Sequence, residues 1–518
     1  IKYFCTPCAK TITNGGRTRN LPEHDPAKWE LFVEYNRQDV VTEMEIERRL
    51  SRFPVPEQVQ REWEYDMRIS ARGVAADREL VDGALYCGTA IEEAAKQEAI
   101  ELTGLENPKS REQMLTWLQG HGVAIPDLRS ATVEDALEHK DEFEPDAARV
   151  LELRQLLSKA SIKKYSTVVT TMCEDGRIRG LLQFYGANRT GRWAGRLVQV
   201  QNLPRTYLHG AMLDTARDLT RRKLPEGLKL LYGSVPGTLS QLVRTALVPR
   251  PGCKFVDADF SAIEARVVAW LAGEEWVLQV FRTHGKIYEA TASQMFGVPL
   301  DRIVKGNPEY ALRQKGKVAT LALGYQGGSS ALIAMGALKN GLTEEELPDI
   351  VSRWRQANRA IVRCWKAVEQ AAIQAVETGR SCATHGLVFA READIDSGLD
   401  FLTIRLPSGR KLYYAQPHFG VNQWGGKQLR YYGMNQMTKK WSVIETYGGH
   451  MTENIVQAIA RDCLAVNIER LENAGFPIVF HIHDEVVIEV PEDRADLDEV
   501  TRIMGQPIEW APGLPLAA

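Results

Sequence analysis

The clearest pattern of hydrophobic and polar positions lies between residues 254 and 271. Successive side chains of a strand point to opposite faces, so the alternation sorts the residues into two sets: Phe255, Asp257 and Asp259 on one face, and Val256, Ala258 and Phe260 on the other. From Ser261 the spacing becomes that of an apolar helix. The pattern therefore predicts a buried strand that ends in Asp259. A carboxylate buried there needs a cation or hydrogen bonds, because burying an unpaired charge is costly.

A second alternating segment, residues 478–490, is a candidate source of that partner. Apolar residues alternate on both sides of His483 and Asp484, which is typical of a β-hairpin with these two residues at its tip. Glu485 adds a further acid. If Asp259 and Asp484 converge, their oxygens suit Mg²⁺, which binds one or two carboxylates together with substrate phosphates. Because Asp is common in turns for local reasons, two unrelated structural acids are the alternative.

Residues 311–325 predict a helix with an unusual face. Arg313, Lys317, Leu321 and Tyr325 recur every four residues and therefore lie along one side of it. Two cations followed by an apolar and an aromatic residue suit a nucleoside triphosphate, with the cations on the phosphates and the other two on the sugar and base. The alternative is a solvated basic start of a helix that then enters the core.

The first 160 residues are predicted to be mostly helical. A charged helix over 26–50 is followed by Pro54 and Pro56, which mark a boundary. Further polar helices are predicted at 57–71, 79–101, 110–118 and 145–164. This pattern indicates an elongated helical arm.

The remaining sequence alternates between the two kinds of structure. Residues 165–249 are predicted to form short strands, turns and arginine-rich loops. Helices are predicted at 276–281, 287–296, 344–378 and 451–471, and a hairpin turn at 406–410 within a β-rich patch.

Composition narrows the classes of protein. The 64 Lys and Arg against 67 Asp and Glu give a net charge of −3, which by itself does not favour nucleic-acid binding. A local arginine cluster between residues 189 and 205 is of the kind that follows a phosphate backbone, although a solvated surface is the alternative. No apolar run approaches the roughly 20 residues of a membrane span, and eight scattered cysteines indicate a reducing cytosol. The length of 518 suggests three or four domains.

Three of these segments together resemble the polymerase motifs of family A DNA polymerases, the group of bacterial DNA polymerase I. Residues 259–266 (DFSAIEAR) are similar to the first motif, D-Y-S-Q-I-E-L-R. The second motif, R-x-x-x-K-x-x-x-[FY]-x-x-x-Y-G, is matched by Arg313, Lys317 and Tyr325. Residues 482–485 (IHDE) match the third motif, whose core is V-H-D-E.

Flanking matches extend the resemblance from about residue 60 to the end of the chain. Thr190-Gly191-Arg192 and residues 201–204 (QNLP) resemble the family's T-G-R and L-Q-N-I-P stretch, and Gln457 lies where the family has a glutamine that contacts the template. The sequence of residues 323–328 (LGYQGG) resembles that of the phage and prophage branch of the family.

The resemblance implies an α/β (α+β) fold shaped as a right hand, with an antiparallel palm sheet and a helical thumb and fingers. It divides the chain into a C-terminal remnant of a 3′–5′ exonuclease domain at 1–52, a thumb at 53–160, a palm at 161–270 and 447–518, and fingers at 271–446.

The resemblance also implies roles for individual residues. Asp259, Asp484 and the backbone carbonyl of Phe260 would bind two Mg²⁺ ions, for which Mn²⁺ can substitute, with Glu485 in support. The expected nucleotide-binding residues are Arg313, Lys317, Leu321, Tyr325, Glu264 and Tyr288, and Lys317 is also proposed in the family to protonate pyrophosphate. Primer–template DNA is expected to contact Arg192, Gln201, Asn202, Gln457 and His483.

Two of these assignments have rivals. Ser261 and Glu264 are spaced as a capping box, so Glu264 could cap the helix. In the family this residue is the steric gate against a ribose 2′-hydroxyl, a role that is compatible with capping and that the motif match favours. Asp257 shares the strand face of Asp259, about 6.6 Å earlier along the strand; the motif match favours Asp259. Leu321 and Tyr288 depart from the family's aromatic residue and histidine.

The N-terminal segment is predicted to lack proofreading. Tyr35 and Asp39 match Y-x-x-x-D, the last motif of the family's exonuclease, but the other acidic motifs are absent from this sequence. Because the chain opens on Ile1 without a secretory leader, we expect a fragment boundary there.

The sequence thus predicts a DNA-templated DNA polymerase that uses dNTPs and primer–template DNA, as a monomer in a bacterial or phage-infected cytoplasm. A single-subunit RNA polymerase is the enzymatic alternative, and Glu264 as a gate argues against it. A catalytically silent primer–template binding protein is the other, and retention of both aspartates and both cations argues against that, because binding alone needs only the cations.

Overall fold

The computed structural model describes residues 1–51, 53–158, 161–396, 398–422 and 425–518. Over these ranges the chain forms helices and four sheets in which every strand pair is antiparallel, so the predicted mixed fold class with an antiparallel palm sheet is confirmed. The predicted boundaries at residues 52 and 160 lie outside the described residues.

The N-terminal segment contains a short helix, α1 (Lys2–Cys5), and the predicted long helix, α2 (Pro26–Leu50). Helix α2 begins where Asp25 accepts a hydrogen bond from the backbone N–H of Lys28 at 3.0 Å, with proline in the first turn, where it costs no hydrogen bond. None of the residues of α2 is buried.

The helical arm follows the predicted pattern. Its elements are α3 (Glu57–Arg72), strand β1 (Val74–Ala76), α4 (Arg78–Thr103), α5 (Arg111–Gly120), α6 (Ser130–Glu138), α7 (Pro145–Ser158) and α8 (Ser161–Thr171). Helices α5 to α7 enclose a small core around Met114, Leu118 and Val150. The single helix predicted over 145–164 includes residues 159 and 160, which lie outside the described ranges.

Residues 165–249 differ from the prediction of strands, turns and loops, since α8 already continues to Thr171. Besides the short strands β2 (Arg177–Ile178), β3 (Leu182–Gln183), β4 (Ala194–Gly195) and β5 (Leu247–Val248), they form three helices: α9 (Gly210–Arg221), α10 (Pro225–Tyr232) and α11 (Val235–Leu242). Two prolines lie in the first turns of α10 and α11, where proline is tolerated. Helix α9 packs tightly on α4 at Gly83, where there is no room for a side chain: a Cβ on Gly83 would lie 2.0 Å from the carbonyl oxygen of Thr220.

Strand β6 (Cys253–Asp259) leads into the largest group of helices. These are α12 (Ile263–Ala272), α13 (Glu275–Thr283), α14 (Ile287–Phe296), α15 (Leu312–Leu323), α16 (Ser329–Ala334), α17 (Leu347–Ala357) and α18 (Arg359–Thr378). The prediction of one helix over 344–378 is wrong, since the backbone breaks at Asn358. The buried carboxylate of Glu274 accepts hydrogen bonds from Ala360 N at 2.7 Å and Ile361 N at 3.3 Å, and so starts α18 separately.

The β-rich patch is a six-stranded sheet. Its strands are β7 (Cys382–Thr384), β8 (Leu387–Asp394), β9 (Leu399–Arg405), β10 (Lys411–Val421), β11 (Lys427–Met434) and β12 (Trp441–Thr446), and they pair in chain order. The predicted turn at 406–410 joins β9 to β10, where Leu406 N donates to Arg410 O at 2.8 Å.

The C-terminal region completes the central sheet. Helix α19 (Gly448–Asn473) precedes β13 (Ile478–Ile482) and β14 (Glu485–Pro491), and α20 (Leu497–Met504) follows them. The strand order is β13-β14-β6. Val486 and Ile488 face the largest core, whereas Val487 and Phe255 pack against a second core that also contains α4 and α11.

Candidate active site

The pairing of β6 with β14 brings the predicted catalytic acids together. Asp259 lies directly opposite Glu485 in the antiparallel register. Beyond that pair, the backbone N–H of Phe260 donates to the carbonyl oxygen of Asp484 at 3.2 Å. The predicted hairpin turn is present, and His483 adopts the left-handed conformation with φ 51°. Two segments far apart in sequence therefore place Asp259 and Asp484 at the same end of one sheet.

The two faces of β6 are as predicted, but the burial of Asp259 is not. Val256 and Ala258 are buried, while Asp257 and Asp259 are exposed. On the face that carries the two acids, Phe255 packs against the second core, but Asp257 and Asp259 reach solvent. The expectation of a deeply buried carboxylate is therefore wrong, and Asp259 remains accessible to a ligand.

Burial and neighbouring carboxylates disfavour the ionised forms of Asp259, Asp484 and Glu485. Partial burial and then Asp259 raise the pKa of Asp484 to about 6. Partial burial and then Asp257 raise the pKa of Glu485 to about 7, and a hydrogen bond joins these two side chains. Partial desolvation by the surrounding protein and then Asp257 also raise the pKa of Asp259. A cation bound here would relieve this repulsion.

This donor set fits Mg²⁺. Among the described residues, no three His, Cys, Asp or Glu side chains form a complete protein-only metal site. Mg²⁺ does not need one, because it usually binds one or two carboxylates and completes its shell with water and substrate phosphates. Asp259 and Asp484 supply the hard carboxylate oxygens that Mg²⁺ prefers. The raised pKa values of these two carboxyls indicate that their ionised forms lack a compensating positive charge, which a bound cation supplies.

The turn after β6 decides the role of Glu264. Helix α12 starts at Ile263 after Ala262, which has φ 49°, and no side chain caps it. The carboxylate of Glu264 instead accepts hydrogen bonds from Arg192 Nη2 at 2.8 Å and from the hydroxyl of Tyr325 at 2.7 Å. The capping-box interpretation is therefore wrong, because Glu264 points toward tertiary partners.

A cavity of about 440 Å³ opens beside these groups. Six of the predicted site residues line it: Glu264, Tyr288, Leu321, Tyr325, Gln457 and Asp484. Helix α15 ends at Leu323, so Tyr325 lies just beyond the helix and not on its face as predicted. We refer to this space as the nucleotide cavity, for its proposed occupant.

The two cations of α15 have different surroundings. Arg313 Nε lies 2.8 Å from Glu289 Oε1, and its guanidinium stacks over the ring of Tyr288 at 5.4 Å. Lys317 is half-buried and has no ion-pair partner among the residues that the structure describes. Neither residue lines the nucleotide cavity, which lies beside the C-terminal half of α15.

The expected DNA-contacting residues fall into two groups. Arg192, Gln457 and His483 surround the acids: Arg192 pairs with Glu264, Gln457 lines the cavity, and burial and then Arg192 lower the pKa of His483. Gln201 and Asn202 lie in a separate turn at Val200–Asn202. The side-chain amide of Gln201 approaches Gly195 so closely that a Cβ there would lie 2.0 Å from it.

A buried ionic network behind this site was not predicted. Arg461 is fully buried, pairs with Glu62 and with Asp462 at 3.3 Å, and donates through Nε to the carbonyl oxygen of Gly191 at 3.1 Å. Asp462 also accepts from Arg410 at 2.7 Å. The network thus joins α3, α19 and the loop that carries Arg192. An adjacent Arg–Asp pair inside the otherwise apolar stretch 458–466 (AIARDCLAV) is the sequence signal for it.

The two residues of the proposed exonuclease remnant, Tyr35 and Asp39, do not line the nucleotide cavity. Tyr35 and Asp39 both lie on α2 and are exposed.

Within the described ranges, no helix has the length and apolar composition that a membrane span requires.

Comparisons with known proteins agree with this arrangement. The model of DNA polymerase family A matches residues 87–387. The chain is 52% identical over its full length to a protein named DNA polymerase from Bacillus phage SP02, of which it covers 78%. It is 27% identical over 263 residues to the thermostable DNA polymerase I of Thermus aquaticus, a match that spans half of this chain and a quarter of that enzyme.

A solved structure shares the fold. It is the polymerase domain of Pol1 from M. smegmatis in complex with DNA primer-template and dNTP, with a TM-score of 0.55 and 17% identity. The superposition covers 89% of this chain and 68% of that one. Together, the family match over more than half of the chain and the full-length relative identify the chain as a member of DNA polymerase family A.

Proposed function

We propose that this DNA-directed DNA polymerase adds dNTPs to a primer 3′-hydroxyl at the junction of β6 and β14. The observation that carries the proposal is the register of these strands, which sets Asp259 opposite Glu485 and links Phe260 to Asp484. That junction adjoins a cavity large enough for a nucleotide, with Glu264 and Tyr325 in its wall.

Asp259, Asp484 and the backbone carbonyl of Phe260 would bind two Mg²⁺ ions, or Mn²⁺ in their place. When bound, the ions supply electrostatic stabilisation to the attacking and leaving oxygens of an in-line phosphoryl displacement. Glu485 supports the site from the neighbouring strand position, where it shares a hydrogen bond with Asp257.

The cations of α15 would bind the triphosphate. Lys317, free of ion pairs within the described residues, contacts the phosphates and supplies the proton for pyrophosphate. Arg313 contacts them by exchanging its partner Glu289, while Tyr288 supports its guanidinium from below. Electrostatic stabilisation and positioning supply most of the catalysis in phosphoryl transfer. Arg313 and Lys317 contribute both by holding the triphosphate and by balancing its charge.

The opposite wall would select the sugar and hold the DNA. Glu264 restricts the space for a ribose 2′-hydroxyl, and Leu321 and Tyr325 contact the sugar and base. Arg192, Gln201, Asn202, Gln457 and His483 would contact primer–template DNA. The position of Gln457 on the cavity wall supports a contact near the newly formed base pair.

The proposed domains are a thumb at 53–160, a palm at 161–270 and 447–518, and fingers at 271–446, after an exonuclease remnant at 1–52. The largest core contains residues from both proposed palm and fingers, which supports a close connection between these two domains. The proposed enzyme is a monomer that acts in the cytoplasm of an infected bacterium; the 52% identity of the chain to a phage DNA polymerase supports this cellular setting.

Extension of a labelled primer in the presence of Mg²⁺ tests the function. We expect extension with dNTPs, loss of extension on chelation of the metal, and little extension with rNTPs. Extension with rNTPs alone would favour the RNA polymerase alternative. Binding of primer–template without extension under any metal would favour the silent binding protein.

A further inference from the structure

A second cavity, of about 590 Å³, adjoins the nucleotide cavity. Its walls are the loop at residues 187–190, strands β9 to β12 and one side of α19. That side carries His450, Asn454 and Gln457, which are spaced to share one helix face. Gln457 lines both cavities. We call this second space the sheet groove; it borders the nucleotide cavity at Gln457.

The lining of the sheet groove has the chemistry of a single-stranded nucleic-acid site. It contains five aromatic residues, Phe401, Tyr413, Tyr431, Tyr432 and Trp441, and five amides, Asn188, Asn435, Gln436, Asn454 and Gln457. Trp441 is 61% exposed and Tyr413 is 40% exposed, so their rings are accessible. None of the described residues that line the groove is Asp or Glu, although the chain contains 67 of them. Aromatic rings bind unpaired bases by stacking, and amides bind base edges.

Arg189 holds the aromatic wall in place. Its guanidinium lies 4.2 Å from the ring centre of Tyr431 and 5.1 Å from that of Tyr414, and Nη1 donates to the carbonyl oxygen of Tyr413 at 3.4 Å. The rings of Tyr413 and Phe401 meet edge to face with centres 5.6 Å apart. The wall is therefore ordered before a ligand arrives, which lowers the entropic cost of binding.

Positive charge lies at the mouth of the groove. The turn between β11 and β12 contributes Asn435, Gln436 and Met437 to the lining and continues into Lys439 and Lys440, which are exposed. Such lysines attract a phosphate backbone without selecting a sequence. The combination of exposed rings, amides and cations fits single-stranded DNA better than an apolar peptide segment, which gains nothing from the lysines.

We propose that the sheet groove binds the unpaired template nucleotides that have not yet reached the nucleotide cavity. The inference rests on the proposed function, since a polymerase presents unpaired template next to its catalytic site. Stacking requires unpaired bases, so the duplex behind the primer terminus does not fill the groove. Most of the sheet lies beyond residue 387, where the match to the family model ends.

Binding measurements at fixed salt with two primer–templates test the proposal. Both share one duplex; one has a single-nucleotide template overhang and the other an overhang of about six nucleotides, within the span of known single-strand sites. We expect Trp441→Ala and Tyr413→Ala to raise Kd for the long overhang by about fivefold or more, the loss of one stacked base, and to leave Kd for the short overhang unchanged. Trp63→Ala, which removes a 43% exposed Trp of α3, is the matched control.

Equal losses on both DNAs, or no loss on the long overhang, would overturn the proposal. A loss of the same size in Trp63→Ala would also overturn it. Single-nucleotide addition on the short overhang separates the two levels of inference: it should be unchanged in Trp441→Ala. If the unaltered protein adds no nucleotide, the proposed function fails, while the difference in Kd between the two overhangs still decides the role of the groove.

Discussion

The hydroxyl of Tyr325 donates a hydrogen bond to Oε2 of Glu264 at 2.7 Å, across 61 positions of the chain. The other oxygen of the same carboxylate accepts from Arg192. Glu264 is therefore held from two sides, by Tyr325, which lies two residues past the end of α15, and by Arg192 in the loop after β3. An oriented carboxylate at the cavity wall presents a fixed surface to the sugar of an incoming nucleotide.

Truncation of this carboxylate should weaken sugar selection. We expect Glu264→Ala to lower the preference for dNTPs over rNTPs by roughly 10²-fold, because a pocket that no longer crowds the 2′-hydroxyl rejects it poorly. Tyr325→Phe should have a smaller effect, since Arg192 still holds Glu264. The ratio of kcat/KM for dNTP and rNTP incorporation measures both. An unchanged ratio in Glu264→Ala would remove the gate from this residue.

The two acids of β6 should differ in importance. We expect Asp259→Ala to reduce nucleotide addition by at least about 10³-fold, the scale for losing a group that stabilises transition-state charge. Asp257→Ala should retain most activity, because Asp257 lies two residue pairs further from the hairpin turn than Asp259 and is hydrogen-bonded to Glu485. Primer extension under single-turnover conditions makes the comparison. The reverse order of activities would exchange their roles.

Arg461 should stabilise the fold strongly. Arg461→Met leaves Glu62 without its ion-pair partner and Asp462 with Arg410 as its remaining cation. Breaking a buried pair on one side costs about 3–5 kcal/mol in the free energy of unfolding. Denaturant unfolding measures this. Arg502→Met, which breaks an exposed pair with Glu499, is the control and should change stability little. Equal effects would show that burial does not matter here.

His481 should make the fold sensitive to acid. Burial and then the nearby charges of Arg461 and His483 lower its pKa to about 3, and neither ring nitrogen has a hydrogen-bond partner within the described structure. The unfolded chain takes up a proton near pH 6.5 and the folded chain only near 3, so the fold loses stability as pH falls through this window. The slope from this residue is about 1.4 kcal/mol per pH unit.

Replacement of the imidazole tests that contribution. His481→Phe keeps an aromatic ring against Trp193, which His481 meets edge to face at 4.7 Å, and removes the titrating group. We expect the free energy of unfolding of this variant to fall less steeply between pH 6.5 and pH 4 than that of the unaltered protein. Parallel curves for the two proteins would contradict the assignment.

Helix α2, which carries Tyr35 and Asp39, should not support proofreading. Asp39 is exposed on α2, and exonuclease chemistry needs further carboxylates beside it. We expect no release of a mismatched 3′ nucleotide, and no difference between the unaltered protein and Asp39→Ala. Measurable release that disappears in Asp39→Ala would contradict this prediction.

The local sequence pattern was enough to predict those elements whose ends are marked by nearby residues, such as prolines and turn residues. Strand β6, the hairpin of β13 and β14, and helices α2 and α14 lie where the alternation, prolines and helical spacing predict them. The motifs of the three central segments also placed the chain in its family before any contact was known. These features depend on residues close together in the chain, so the sequence carries them directly.

Tertiary structure decided the rest, because the deciding partners are distant in sequence. Glu274 starts α18 from 86 positions away, and Gly83 lets α9 pack on α4. Spacing left Glu264 with two roles, and Arg192 and Tyr325 removed the capping one. Whether a carboxylate caps a helix or faces a cavity depends on which donors the fold brings to it, and that is a property of packing, not of periodicity.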